Sequence, residues 1–428
     1  MADFPNIEDY VKWRGDLTFK QDNFSDVDAA VLCEMGYCHL DGLCQSGFSE
    51  QIAFNQIAGK IMSSKEMQVK YFDVGLMNRK IPEFFTAASM TNRFGNIKLC
   101  GYVSIIHAGQ DVSTQIQFAA FTVVLDDKTI CVVFRGTDDS VVGWKEDCNL
   151  ALADEIPAQK AAAEYLENAG KFFKKHRIIV AGHSKGGNLA LYACAKACNK
   201  VKKRILTVYN LDGPGFFQET LDSKEFRTIE KRVRSWFPYE SVVGMLFRHF
   251  DDFKVAESNG FLIFQHDLLT WKVCGKDICI HQEGLCKGSL KTYEVFNRWI
   301  VKLDSEQKKT FIEALFSLLE STQKLTMASM FGDVQNDFNS SRIAYKEKMN
   351  EISSEFKNSD FKGKVSSVGK AALSVGKAIR DDSAALGKCV GYGVKSVARI
   401  TKAGFEAARN KELMEVLKEI AGEFKSSL

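Results

Sequence analysis

Residues Val180 to Gly187 read V-A-G-H-S-K-G-G, which sets Ser184 between Gly182 and Gly186. A β-branched apolar run precedes this serine and a small-residue amphipathic run follows it. That is G-x-S-x-G between a strand-like and a helix-like segment, the setting in which a sharp turn presents a serine hydroxyl for attack. The chemistry open to such a serine is acyl transfer. A histidine must then take the hydroxyl proton, a carboxylate must hold the histidine, and N–H donors must receive the oxyanion.

His266 is the expected base, because it follows the serine in the nucleophile, acid, histidine order of α/β-hydrolases. His249 lies in a Phe-Arg-His-Phe context that suits packing, and His281 falls past the expected sheet. His183 precedes the serine, where its ring cannot readily turn to the hydroxyl. Asp212 is the first candidate for the acid, since it ends the strand after the serine and precedes Gly-Pro-Gly at the carboxyl edge of the sheet. Turn stabilisation through its own backbone is its competing role. Glu240 and Asp251 are the alternative acids. The oxyanion amides are expected at Thr137, after the tight turn of V-V-F-R-G, and at Lys185, which opens the helix after the serine. The Thr137 hydroxyl is also suited to capping a helix. The Lys185 ammonium either covers the helix start or attracts an anionic head group.

The run V-V-F-R-G-T (Val132 to Thr137), then Gly143, Trp144 and Asp147, then G-H-S-K-G-G-N-L-A, resembles class 3 (fungal-type) lipases. The chain is more similar still to the Mbeg1-like proteins, a bacterial α/β-hydrolase family with no settled substrate. That likeness is carried by Y-V-K-W-R-G-D-L-T (Tyr10 to Thr18), N-L-D-G-P-G-F (Asn210 to Phe216) and His266-Asp267 followed by Trp271, and it extends to near Gly275. The first resemblance implies acyl-ester hydrolysis, and the second implies an α/β-hydrolase fold and a serine hydrolase. Pancreatic-type lipases are similar in carrying an aspartate in a Leu-Asp-Pro turn after the strand that follows the elbow. Fungal-type lipases carry it one strand later, where this chain has Pro238-Tyr239-Glu240-Ser241, and that departure favours Asp212.

The elements that must hold these groups are legible as alternating patterns. Strands are expected at Gln115 to Leu125, Thr129 to Phe134, Arg177 to Ala181, Arg204 to Leu211 and Arg232 to Phe237, with two more near Phe253 to Glu257 and Thr270 to Val273. Helices are expected at Asp26 to Met35, Glu50 to Lys60, Ser64 to Val74, Pro157 to Lys175 and Gly187 to Lys200, and two more within Ser289 to Thr322. The alternation implies an α/β fold with a mostly parallel sheet covered by helices. Phe84, Phe85 and Met90 suit either a lid or an ordinary core helix.

The chain has 428 residues, enough for an α/β-hydrolase domain over residues 1–335 and a helical extension over 336–428. Between Phe361 and Lys402, nine basic residues stand against Asp381 and Asp382. Eleven-residue blocks begin at Val368, Ile379 and Val390, so that Val375, Leu386 and Val397 share one stripe and Lys377, Lys388 and Arg399 another. Such a basic amphipathic helix over 364–402 would lie on a membrane surface, on its own domain or on a second copy of the chain. The twelve cysteines are scattered, and no apolar leader begins the chain, so reduced thiols and a cytoplasmic protein are expected, peripheral to a membrane only if the tail helix lies on lipid and not, as is favoured, on protein. Cys274, Cys279, His281 and Cys286 lack the paired spacing of a structural zinc site. A net charge of +3 is too small to argue for nucleic acid. No cofactor is expected. The expected substrate is a lipid or other small-molecule acyl ester; a peptidase would share the same triad. A catalytically silent scaffold that docks membranes or partners through its tail is the alternative.

Overall fold

The computed structural model describes residues 5–290, 293, 294 and 297, except 73–80, 110–112, 139–145, 147–148, 151–152, 154 and 261. Gly143, Trp144, Asp147, most of the helical region expected within 289–322, and the whole extension from 336 lie outside the described residues. The chain divides into two compact units, Met1–Asp138 with Asp154–Glu294, and Asp139–Ala153 with Val295–Leu428. The elements below belong to the first unit.

Helices α1 (Ile7–Arg14), α2 (Asp26–Met35), α3 (Phe54–Ile61), α4 (Lys65–Tyr71) and α5 (Ile81–Ser89) occupy the N-terminal region, and α6 (Pro157–Phe172) and α7 (Lys185–Lys196) follow among the strands. The sheet has eight strands: β1 (Ile52–Ala53), β2 (Lys98–His107), β3 (Ile116–Asp126), β4 (Thr129–Phe134), β5 (Arg177–His183), β6 (Ile205–Leu211), β7 (Val233–Pro238) and β8 (Phe253–Ala256). Their spatial order is their sequence order, antiparallel from β1 to β4 and parallel from β4 to β8. The protein is therefore an α/β fold with a mostly parallel sheet along its second half.

The order has a consequence for packing. Parallel crossovers are right-handed, and a strand order that never reverses sends each of them to the same side of the sheet. The other side must be covered from elsewhere in the chain. Strand alternation separates the two faces: Cys131, Val133, Ile179, Ala181, Tyr209, Leu211 and Trp236 join one core with Ile7, Val11, Val31 and Phe85 of the N-terminal helices. Ile130, Val132, Ile178, Val180 and Val208 alternate with them and are equally buried.

Helix α2, buried along its whole length, begins with a capping box in which Ser25 and Asp28 satisfy each other's backbone amides. Asp28 also receives both Nε and Nη2 of the buried Arg93, at 2.7 and 2.6 Å. The Trp236 indole N–H donates to Asp26 at 2.9 Å, which ties the start of α2 to β7.

Helix α2 and strand β4 have the expected bounds, and β3 and β5 to β8 lie within a residue or two of them. Strand β2 was not expected. Its register slips between Cys100 and Val103, where Gly101 has φ +65° and donates to Gly47 instead of the ladder, so the apolar alternation breaks inside the strand. The expectation of unbridged thiols is corrected at Cys274 and Cys279. A tight hairpin pairs Val273–Cys274 with Asp277–Ile278, sets the two Cα atoms 5.2 Å apart and joins the sulfurs in a disulfide. Phe84 and Phe85 are core residues of α5, and Met90 is exposed at its end, so the two phenylalanines belong to packing. No helix among the described residues is long and apolar enough to cross a membrane.

Candidate active site

Strand β5 carries the chain into the turn at Ser184, and α7 leads away from it. Ser184 has φ 57° and ψ −133°, a conformation that costs a non-glycine residue on the order of 1–3 kcal/mol. The turn is held by Ser184 N–H donating to the Leu211 carbonyl and Gly187 N–H donating to the Ser184 carbonyl, both at 2.9 Å. Two flanking glycines are required by close approach. A Cβ at Gly182 would fall 1.9 Å from the Gly186 carbonyl oxygen, and one at Gly186 would fall 2.1 Å from that of Phe134.

One strand further on, Asp212 ends β6 in a left-handed conformation, φ 48°, with its N–H bonded to the Trp236 carbonyl. Its carboxylate is buried and has two donors. His266 Nδ1–H donates to Oδ2 at 2.6 Å, and Ser241 Oγ–H donates to Oδ1 at 2.5 Å. Donation from Nδ1 leaves Nε2 of a neutral His266 ring as the acceptor, the state a general base requires. Among the described residues, the Ser184 hydroxyl makes no hydrogen bond to the His266 ring. Catalytic bonds of this kind are often long before substrate binds.

Of the alternative acids, Glu240 accepts from Gln265 Nε2 at 2.8 Å and its N–H donates to Gln265 Oε1, which fixes the residue beside His266 and not the ring. Asp251 is exposed on the turn before β8. The model of the family described as Mbeg1-like matches residues 88–317, more than half of the chain. The chain belongs to the Mbeg1-like family. A solved Rhizomucor miehei lipase–propeptide complex, a deletion mutant, is similar at 15% identity over 56% of this chain and 73% of that one, with a TM-score of 0.32. No curated protein matches.

In this Mbeg1-like protein the F-R-G-T turn lies against the elbow. A Cβ at Gly136 would be 2.7 Å from the His183 carbonyl oxygen and 3.0 Å from Ser184 Cβ, so the turn ahead of Thr137 runs in contact with the serine. Lys185 is the first residue of α7, where amides have no intrahelical carbonyl to bond. Its side chain is buried, and Nζ donates to the Gln117 carbonyl at 2.8 Å and to the Gln117 side-chain oxygen. The ammonium therefore pins the helix start to β3 and is not offered to an anionic head group. His249 packs edge-on to Phe237 and bonds the Gly244 carbonyl; burial lowers its pKa to about 4.

Sequence reasoning passed over three supporting residues of this site. Ser241 stands after β7, where fungal-type lipases carry their acid; here its hydroxyl donates to Asp212. Asn188 donates to the Pro214 and Gly215 carbonyls, binding α7 to the turn after Asp212, and its only signal is the N of G-G-N-L-A. Tyr37, whose hydroxyl meets His183 Nδ1 at 2.7 Å, has no local signal because its partner is 146 residues away.

Proposed function

We propose that this chain is a serine hydrolase that cleaves an acyl ester. Ser184 Oγ attacks the acyl carbonyl as His266 Nε2 takes its proton, and the His266 imidazolium then gives that proton to the departing alkoxide. Water, deprotonated by the same nitrogen, resolves the acyl-enzyme and frees the acid. Asp212 holds the imidazole through Nδ1–H, and the amides of Thr137 and Lys185 receive the oxyanion. The single observation that carries the reading is the 2.6 Å bond from His266 to a buried Asp212, one strand from a serine on a strained glycine-flanked turn. An apolar or lipid ester is the favoured substrate, on the likeness of F-R-G-T and G-H-S-K-G to class 3 lipases.

A second reading, a hydrolase-like scaffold without catalysis, is favoured by the unmade bond between Ser184 and His266. Fluorophosphonate labelling separates the two. Wild type should be modified at Ser184, Ser184→Ala should not be, and a p-nitrophenyl ester series should then give the acyl-length preference. Absence of labelling in folded wild type would overturn the hydrolase.

A further inference from the structure

We propose that Tyr37 and His183 are positioning residues that hold the backbone of His266 against the nucleophile turn, an inference that rests on the hydrolase reading above. His183 lies next to Ser184, yet both nitrogens of its ring are engaged by other residues. Nε2 is 2.8 Å from the His266 carbonyl oxygen, and Nδ1 is 2.7 Å from the Tyr37 hydroxyl. A carbonyl can only accept, so the proton sits on Nε2. Burial holds the His183 pKa well below the usual imidazole range, so the ring is neutral and Nδ1 has no proton to give. Tyr37 must therefore be the donor. The chain of donation runs from Tyr37 O–H to His183, and from His183 Nε2–H to the carbonyl of the base.

This brace links the residue beside the nucleophile to the segment that follows α2 and to the segment that carries His266. Tyr37 follows α2, and a Cβ at Gly136 would fall 2.4 Å from its hydroxyl, so it also abuts the F-R-G-T turn. The His183 and His266 rings lie with centroids 4.5 Å apart. The segment carrying His266 needs such a hold, because it consists of two short 3-10 turns, Leu262–His266 and Leu268–Thr270, with no ladder of its own. Trp271 and Glu240 secure neighbouring Gln265. His183 reaches the His266 backbone from the position next to the nucleophile. His183 thus ties the backbone of His266 to the nucleophile turn, while Asp212 orients its ring.

The test uses the full-length protein with His183→Leu, His183→Gln and Tyr37→Phe. Glutamine can offer an N–H donor near the place of Nε2, and leucine cannot. Ester turnover is counted per fluorophosphonate-titrated site, and hydrogen–deuterium exchange is followed over residues 262–270. For His183→Leu, kcat should fall about 10- to 100-fold with KM within about threefold, the split expected of lost geometry. His183→Gln should recover most of that loss, Tyr37→Phe should lose about threefold to tenfold, and exchange over 262–270 should rise in the leucine variant. Equal damage from glutamine and leucine, or unchanged kcat and exchange in the leucine variant, would overturn the brace. Wild type that neither labels nor turns over would remove the hydrolase reading; exchange alone then decides, with a rise in leucine but not glutamine supporting the brace and no rise refuting it. If leucine does not fold, unaltered kcat and exchange in Tyr37→Phe refute the Tyr37 to His183 bond, and reduced kcat with faster local exchange supports it.

Discussion

Asp212 and His266, 54 residues apart in the chain, meet at 2.6 Å between a buried carboxylate and an imidazole whose side chain is 14% exposed. The bond fixes the ring's tautomer, so its value in the proposed mechanism is orientation. Asp212→Asn should keep the fold and lower kcat/KM by about 10³- to 10⁴-fold, because an amide can donate to Nδ1 and favours the wrong tautomer. Glu240→Gln should cost less than about tenfold. Steady-state ester hydrolysis of both variants checks this; the reverse ranking would make Glu240 the acid.

The backbone at Ser184 sits where only glycine is relaxed. Ser184→Gly should abolish fluorophosphonate labelling and raise Tm by about 2–4 °C, the equivalent of roughly 1 kcal/mol of relieved strain in a domain of this size. Calorimetry that gives a lower Tm would mean the serine contributes more packing than its conformation costs.

Gly186→Ala should destabilise the protein by more than about 3 kcal/mol, since its Cβ would overlap the Phe134 carbonyl and neither backbone can yield without breaking the β4–β5 pairing. Urea unfolding tests it. A variant of wild-type stability would show that the turn is looser than its contacts imply.

Acid should unfold the protein through its buried histidines. His249 titrates near 4 in the fold and near the ordinary imidazole value when unfolded, so between these the unfolded chain holds a proton that the native one lacks. Stability is therefore complete above about pH 6.5 and falls as pH drops toward 4, by up to roughly 3 kcal/mol from this group. His183 acts in the same direction. Denaturant midpoints from pH 7 to pH 4.5 should fall for wild type and fall less for His249→Gln. Parallel slopes would exclude His249 as a cause.

Glu34 in α2 acts in the opposite sense. Its carboxyl is fully buried, and burial together with the Asp267 charge outweighs the Leu268 backbone amide and holds its pKa well above the ordinary carboxylate range. The native state keeps a proton that the unfolded chain releases, so stability declines as pH rises above the unfolded value. Glu34→Gln should raise Tm more at pH 8 than at pH 5. An equal or negative change at pH 8 would show that Glu34 is charged in the fold.

The parts of this structure legible in sequence are those set by neighbours. Val180 to Gly187 announces a strand, a turn and a helix because three glycines and a serine have few other uses between such runs, and Asp212 is found because it ends a strand before Gly-Pro-Gly. What could not be read depends on distance through space. Tyr37 acquires meaning only beside His183, Ser241 only beside Asp212, and Cys274 pairs with Cys279 only because a hairpin turns between them. Strand β2 was hidden for a different reason, since the bulge at Gly101 erased the period by which a strand is recognised.

The match to the family model begins at residue 88, yet helices covering one face of β4 to β7 lie ahead of it. The limit of that match is thus not the limit of autonomous folding. A polypeptide begun at residue 88 would retain Ser184, Asp212 and His266 but leave Cys131, Val133, Ile179, Ala181 and Leu211 facing water, an apolar surface that invites aggregation. The N-terminal region is half of a shared interior, whose other half is the sheet that carries Ser184 and Asp212.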